Sequence, residues 1–170
     1  RRYDLAKVGR YKFNKKLHFK NRIKGHTLAR DVVDENTGEV LAQADTVVDA
    51  QTATAIQNAA IPAVWIKGVE REVKVLSNMM VDIESYVPEL TDPKSIGVTE
   101  QVYYPVLQKL LEENEGEELI KAIEKNINEL IPKHITKEDI FATVNYNMHI
   151  EEHIGSKDDI DHLGNRRIRA

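Results

Sequence analysis

The sequence predicts an α+β fold, with helical segments at both ends flanking a small β-barrel-like module followed by a helical hairpin. Three observations carry this. β-Branched residues cluster between Thr27 and Leu76 around Asp, Asn and Gly turns. Apolar residues recur at helical spacing from Val102 to Met148. The chain has 170 residues, and that length buries roughly 70% of its unfolded surface without a disulfide or metal staple.

In order along the chain, Asp4 is placed to cap a helix from Leu5, its carboxylate accepting from early N–H groups. Leu5, Val8, Phe13 and Leu17 form no clean 3.6-residue stripe, and Gly9 weakens the helix interior. Leu28, Val32 and Val33, then Asp34-Glu35-Asn36-Thr37-Gly38, then Val40 and Leu41 predict a hairpin. Residues 45–49 continue extended, and Asp49 caps a short Ala-rich helix over 50–60 that stops near Pro62. Ala63-Val64-Trp65-Ile66-Lys67 and Glu72-Val73-Lys74-Val75-Leu76 are the next two strands. Trp65 and Tyr86 lie in β-like runs and are expected in the core rather than as base-stacking platforms.

After a loop containing Pro88 and Pro93, Val102, Val106, Leu107, Leu110 and Leu111 predict a helix that Pro105 either starts or kinks and Gly116 breaks. Leu119, Ile120, Ile123, Ile127, Leu130 and Ile131 form a second stripe, ended by Pro132. The two stripes make the hairpin, with much of the acidic charge on its outer face. Thr136-Lys137-Glu138-Asp139 is a capping-box-like start, with Asp in place of Glu or Gln. It opens a third helix built on Ile140, Phe141, Val144 and Met148 and stopped by Gly155-Ser156. No tandem repeat or low-complexity segment interrupts the pattern.

Composition excludes several chemistries. There is no cysteine, which removes thiol catalysis, Cys-ligated zinc and disulfides and is compatible with a reducing compartment. No apolar run approaches the roughly 20 residues that span a bilayer, so a soluble, cytoplasmic chain is expected. The net charge of −4 is unevenly placed. Residues 1–30 hold eleven Lys or Arg against Asp4 alone, while the other 140 residues hold 13 against 27 acids. A basic arm on an acidic body is either a polyanion contact or a solvated face. The start at Arg1 and the end at Ala170, just after a basic cluster, read as a piece excised from a longer chain.

Three constellations could carry function. His149-Ile150-Glu151-Glu152-His153 places two histidines at i and i+4 on one helix face, the inverted form of a zinc-peptidase motif. His149 and His153 would ligate and Glu152 act as base, but no third ligand is marked, and two histidines at a helix C-terminus suit its dipole equally well. A zinc-dependent hydrolase is thus one alternative, and a stand-alone interaction module using the acidic hairpin another. Asp158, Asp159, Asp161 and His162 could hold a hard cation, or pair with Arg166, Arg167 or Arg169 across the Gly164-Asn165 turn. The same loop offers a carboxylate acceptor beside a fork-shaped donor, which suits a nucleobase edge and a phosphate.

This last stretch, Asp158-Asp159-Ile160-Asp161-His162-Leu163-Gly164-Asn165-Arg166-Arg167-Ile168-Arg169, closely resembles the bacterial RNA polymerase beta subunit where its lobe passes back into the protrusion. Arg2-Tyr3-Asp4-Leu5-Ala6-Lys7-Val8-Gly9-Arg10-Tyr11-Lys12-Phe13-Asn14 resembles the lobe stretch just upstream. The order hairpin, short helix, strand between Leu28 and Lys67 resembles a small barrel-like module found in insertions of polymerase large subunits, where such modules are surface platforms. The resemblance implies that 1–24 and 133–170 are discontinuous lobe segments and 25–132 an insertion, β-rich over 25–98 and a helical hairpin over 99–132. It implies a non-catalytic part of a nucleotidyltransferase, with no cofactor of its own, because the family's catalytic magnesium belongs to the other large subunit. Its expected partners are the downstream DNA duplex, the nontemplate strand, other polymerase subunits and, on the insertion, a regulatory protein. It also implies that Ile160, Asp161 and Arg166 line part of a pocket for an unstacked nontemplate-strand guanine. Asp161 would accept from guanine N1–H and N2–H, Ile160 would pack on the base, and Arg166 would add phosphate or base contacts.

Overall fold

The computed structural model describes residues 7–151. Asp4, the expected first cap, lies outside them. Helix α1 spans Lys7–Leu17 and runs through Gly9 without a break. A second short helix, α2 (Phe19–Ile23), follows after His18.

The predicted hairpin forms from β1 (Val32–Val33) and β2 (Val40–Ala42), paired antiparallel. Its turn is held by the Asp34 side chain, which accepts from the Asn36 N–H at 2.9 Å. Gly38, at φ 76°, supplies the left-handed residue that closes it. The Asp49 carboxylate accepts from the Thr52 N–H at 2.7 Å and opens α3 (Ala50–Asn58). Then β3 (Ala63–Lys67) and β4 (Glu72–Leu76) pair antiparallel, with Val64 opposite Val75 and Ile66 opposite Val73. These four valines and isoleucines point inward and the residues between them outward, the period-2 pattern of a sheet with one buried face.

The strands close no barrel among the described residues. They form three separate two-stranded sheets, and isolated bridges pair Thr27 with Val47 and Leu28 with Ile66 of β3. The third sheet was not anticipated: β5 (Met80–Val81) pairs with β6 (Val102–Tyr103). Val102, expected on a helix, is therefore a strand residue. Helix α4 (Tyr104–Glu113) starts after it with Pro105 in its first turn, where a missing N–H costs nothing.

The second stripe breaks at Asn126 into α5 (Gly116–Lys125) and α6 (Ile127–Leu130). The Asn126 Nδ2 donates to the Ala122 carbonyl at 2.8 Å, closing the end of α5. Glu112, Glu113, Glu115, Glu117, Glu118, Glu124 and Glu129 all face solvent, as the charge pattern predicts. The Thr136 N–H donates to Asp139 Oδ2 at 3.0 Å, and the Asp139 N–H donates to Thr136 Oγ1 at 3.1 Å. This reciprocal box starts α7 (Lys137–Glu151).

Two cores result. One gathers Phe19 and Ile23 of α2 with Leu28, Val48, Ile56, Val64, Ile66 and Val75. The other gathers Val81, Val102, Leu107, Leu119, Ile123 and Leu130. A small third cluster, Leu17 with Ala142 and Tyr146, joins α1 to α7. Trp65 and Tyr86 are half-buried; Tyr86 packs against the second core, as expected, whereas Trp65 lies on the outer face of β3. The Arg30 guanidinium lies 4.1 Å from the Trp65 ring centroid, a surface cation–π stack rather than a core contact.

Candidate functional site

The polar centre of the described structure lies where α1 meets the start of α7. Arg10 and Asp139 are both almost wholly buried. Arg10 Nε donates to the Pro132 carbonyl at 2.8 Å, and Nη2 to the His134 carbonyl at 2.6 Å and to Asp139 Oδ2 at 2.9 Å. Arg10 Nη1 donates to Asp139 Oδ1 at 3.2 Å and to Asn14 Oδ1 at 3.4 Å. All five guanidinium N–H groups thus have an acceptor, which only the Arg fork achieves. Asp139 is equally saturated, since it also accepts from Asn78 Nδ2 at 3.3 Å and from the Thr136 N–H. A saturated buried pair has nothing left to offer a substrate. Its work is to hold α7 on α1.

A second clasp joins α2, β4 and α7. Asn145 Oδ1 accepts from the Leu76 N–H at 2.9 Å and its Nδ2 donates to the Lys74 carbonyl at 2.7 Å, so the side chain pairs with β4 as a neighbouring strand would. Arg22 Nη2 donates to the same Asn145 Oδ1 at 2.8 Å, and Nη1 to the Leu76 carbonyl at 2.5 Å. Burial lowers the Arg22 guanidinium to about 10, so it still carries its charge at neutral pH. Arg10 and Arg22 therefore point inward. The basic arm is in part a set of internal clamps, and only the remainder of its charge is available to a polyanion.

Beside the first clasp lies an open cleft of about 570 Å³ lined by Asn14, Lys15, His18, Asp82, Glu100 and Gln101 among others. Asn14 donates to Glu100 there, and burial pushes the Glu100 carboxyl up. Burial, then the charge of Lys20, pushes His18 down. Tyr103 donates to Glu138 at 2.7 Å, and burial followed by that bond pushes its phenol up. Both acids and bases line the cleft, and among the described residues no group of three or more His, Asp and Glu converges as metal ligands.

Of the residues singled out from sequence, Asp139 takes its expected capping place. Ile160, Asp161 and Arg166 lie outside the described residues, as do Asp158, Asp159, His162, Arg167 and Arg169. Of the zinc-type pattern, His149 lies within α7, while Glu152 and His153 lie outside. Among the described residues no helix is long and apolar enough to cross a membrane. The clasp of Arg10 was missed because its partners lie more than 120 positions away. Thr136-x-x-Asp139 was the one local signal that a carboxylate would be fixed there.

The chain is similar along its whole length to known proteins. It is 49% identical over 171 residues to the DNA-directed RNA polymerase subunit beta of Clostridium botulinum (strain Hall). It is 46% identical to the proteins of that name from Clostridium acetobutylicum and Alkaliphilus metalliredigens. In each case the match covers all of this chain and 14% of the relative, so the stretch 25–132 has a counterpart in all three. The model of RNA polymerase Rpb2, domain 2, matches residues 77–169, more than half of the 170, and the chain belongs to that family, as a portion of a beta subunit.

Proposed function

We propose that this chain is a non-catalytic part of the beta subunit of a bacterial DNA-directed RNA polymerase, acting in the cytoplasm. Its lobe segments would border the downstream DNA duplex and supply part of a pocket for a nontemplate-strand guanine. The observation that carries the reading is the end-to-end match to beta subunits, with a family match that extends through Ile160, Asp161 and Arg166. A carboxylate beside an apolar side chain and a guanidinium suits guanine, since its N1–H and N2–H are adjacent donors that no other base presents. The chain needs no cofactor for this role, and the polymerase's magnesium would sit on another subunit. Arg10–Asp139 and Arg22–Asn145 support the reading by fixing α7, whose last described residue, Glu151, precedes Ile160 by nine positions.

The division of the chain follows the same reading. Segments 1–24 and 133–170 would form the lobe; Arg10's bonds to Pro132 and His134 tie α1 to the chain at the far end of the intervening stretch, which supports that division. The β-rich module and the acid-faced helices would present a surface for a regulatory protein, while other polymerase subunits would flank the lobe. Replacing 25–132 by a short Gly/Ser linker in the parent subunit is expected to leave an enzyme that still extends RNA. Failure to assemble would instead assign the stretch to the lobe itself.

The guanine pocket is tested in the assembled polymerase. A carboxylate paired with a guanine edge discriminates bases by about 1–3 kcal/mol, roughly five- to a hundredfold. Asp161→Ala is expected to erase a preference for G at one nontemplate position while elongation chemistry persists. Arg166→Ala is expected to weaken DNA holding with a smaller change in base preference. An unchanged G preference in Asp161→Ala would return the loop to an internal Asp–Arg clamp.

A further inference from the structure

Helix α7 is apolar on two sides. Ala142 and Tyr146 pack inward on Leu17, whereas Ile140, Phe141, Val144 and Met148 are 52, 59, 56 and 51% exposed. Positions 140, 144 and 148 stand at i, i+4 and i+8, and Phe141 lies beside Val144, so the four form one stripe along the helix. These are the residues from which the sequence predicts the helix; the structure turns them outward. Asp139 explains the orientation. Its carboxylate must reach Arg10, and that commits the side of α7 carrying Ala142 and Tyr146 to α1.

The contrast with α5 is informative. There Leu119 and Ile123 face the core while Glu117, Glu118, Lys121 and Glu124 face water. Only α7 sets large apolar side chains on its open side in this number: four of the nine exposed large hydrophobics among the described residues. A helix apolar all round belongs in an interior, and a contiguous exposed apolar patch marks a contact surface.

Two facts choose the occupant. The chain spans 14% of the length of the beta subunits it matches, so most of a beta subunit's mass is available to cover it. Four half-exposed side chains also fall well short of the roughly 800 Å² per partner that a stable contact between separate proteins buries. A domain of the same polypeptide reaches the stripe at an effective concentration around the millimolar range for short linkers, so a small apolar contact is enough. We propose that the outward face of α7 is the docking surface for another domain of the same beta-subunit polypeptide, through an apolar face seated on Ile140, Phe141, Val144 and Met148. The inference rests on the family assignment and is independent of the guanine pocket.

The test uses the absence of cysteine from the chain. Val144→Cys, Met148→Cys and, as control, Val69→Cys at an 87% exposed loop position are labelled with a maleimide, and the introduced thiol is followed by mass spectrometry. In the isolated chain all three are expected to label within a few-fold of one another. In intact polymerase carrying the same substitutions, Cys labelling at 144 and 148 is expected to slow roughly tenfold or more, because a covered thiol reacts only on local opening, while the control is unchanged. Equal rates in both settings overturn the proposal. Slow labelling already present in the isolated chain also overturns it, assigning the cover to the chain's own residues if independent of concentration and to a second copy if not. Preference for nontemplate G plays no part in this readout, so either idea can fail alone.

Discussion

Arg10 and Asp139 illustrate what one residue pair decides. Each is buried, and the pair is completed by Pro132, His134 and Asn14 around Arg10 and by Asn78 and Thr136 around Asp139. Removing one partner strands a charge out of water, a loss of about 3–5 kcal/mol, whereas replacing both by apolar residues of similar volume costs far less. Arg10→Met and Asp139→Leu are each expected to lower unfolding free energy by about that amount, and the double variant by less than the sum of the two. Urea denaturation of the three variants measures this; additive effects would mean the pair does not act as a unit. A second residue-scale expectation concerns acid. His18, half-buried and pushed below its ordinary value of 6.5, stays neutral in the fold while the unfolded chain takes up a proton. Its contribution to stability is therefore complete above about pH 6.5 and is lost as pH falls through the folded value. His18→Gln is expected to flatten the decline in melting temperature as pH falls below about 6.5, and an unchanged slope would assign that decline to other groups.

At the scale of elements, the joint between α7 and β4 depends on one side chain. Asn145 fills both the donor and the acceptor role that a further strand would supply. Asn145→Ala leaves the Leu76 N–H and the Lys74 carbonyl without that partner and is expected to cost about 1–3 kcal/mol. Hydrogen exchange at the Leu76 amide is expected to rise more than at amides within α4, and equal acceleration everywhere would mean global rather than local loosening. Elements were legible where a local rule fixed them. The Asp34–Gly38 turn, the Asp49 cap, the alternation in β3 and β4 and the Thr136–Asp139 box each depend on residues within a few positions. The pairing of β5 with β6 was hidden because each strand is two residues long and the partners lie some twenty positions apart. Two residues show no periodicity. The break at Asn126 was hidden for a related reason: the apolar stripe continues across it, and only the side chain's bond to Ala122 marks the end of α5.

At the scale of the whole molecule, the basic N-terminal stretch is spent in two ways. Arg10 and Arg22 tie α1 and α2 to α7 and its approach, and Arg30 pairs with Glu72 and stacks on Trp65. The fold is therefore closed by long-range polar clasps as much as by apolar burial, with α2 in one core and α1 against α7. The sequence by itself determined the α+β class, the order of most elements, the absence of thiol chemistry and, through the two terminal stretches, the family. These depend on local propensity, periodicity and ordered motifs, all written in neighbouring residues. Only the tertiary structure decided which basic residues are buried, that the strands stay in separate pairs, and which side of α7 faces out. A charged or apolar side chain has no fixed burial of its own. Arg10 turns inward because Asp139, Pro132 and His134 meet it there, and that one contact turns Phe141 and its neighbours toward whatever lies beyond the chain.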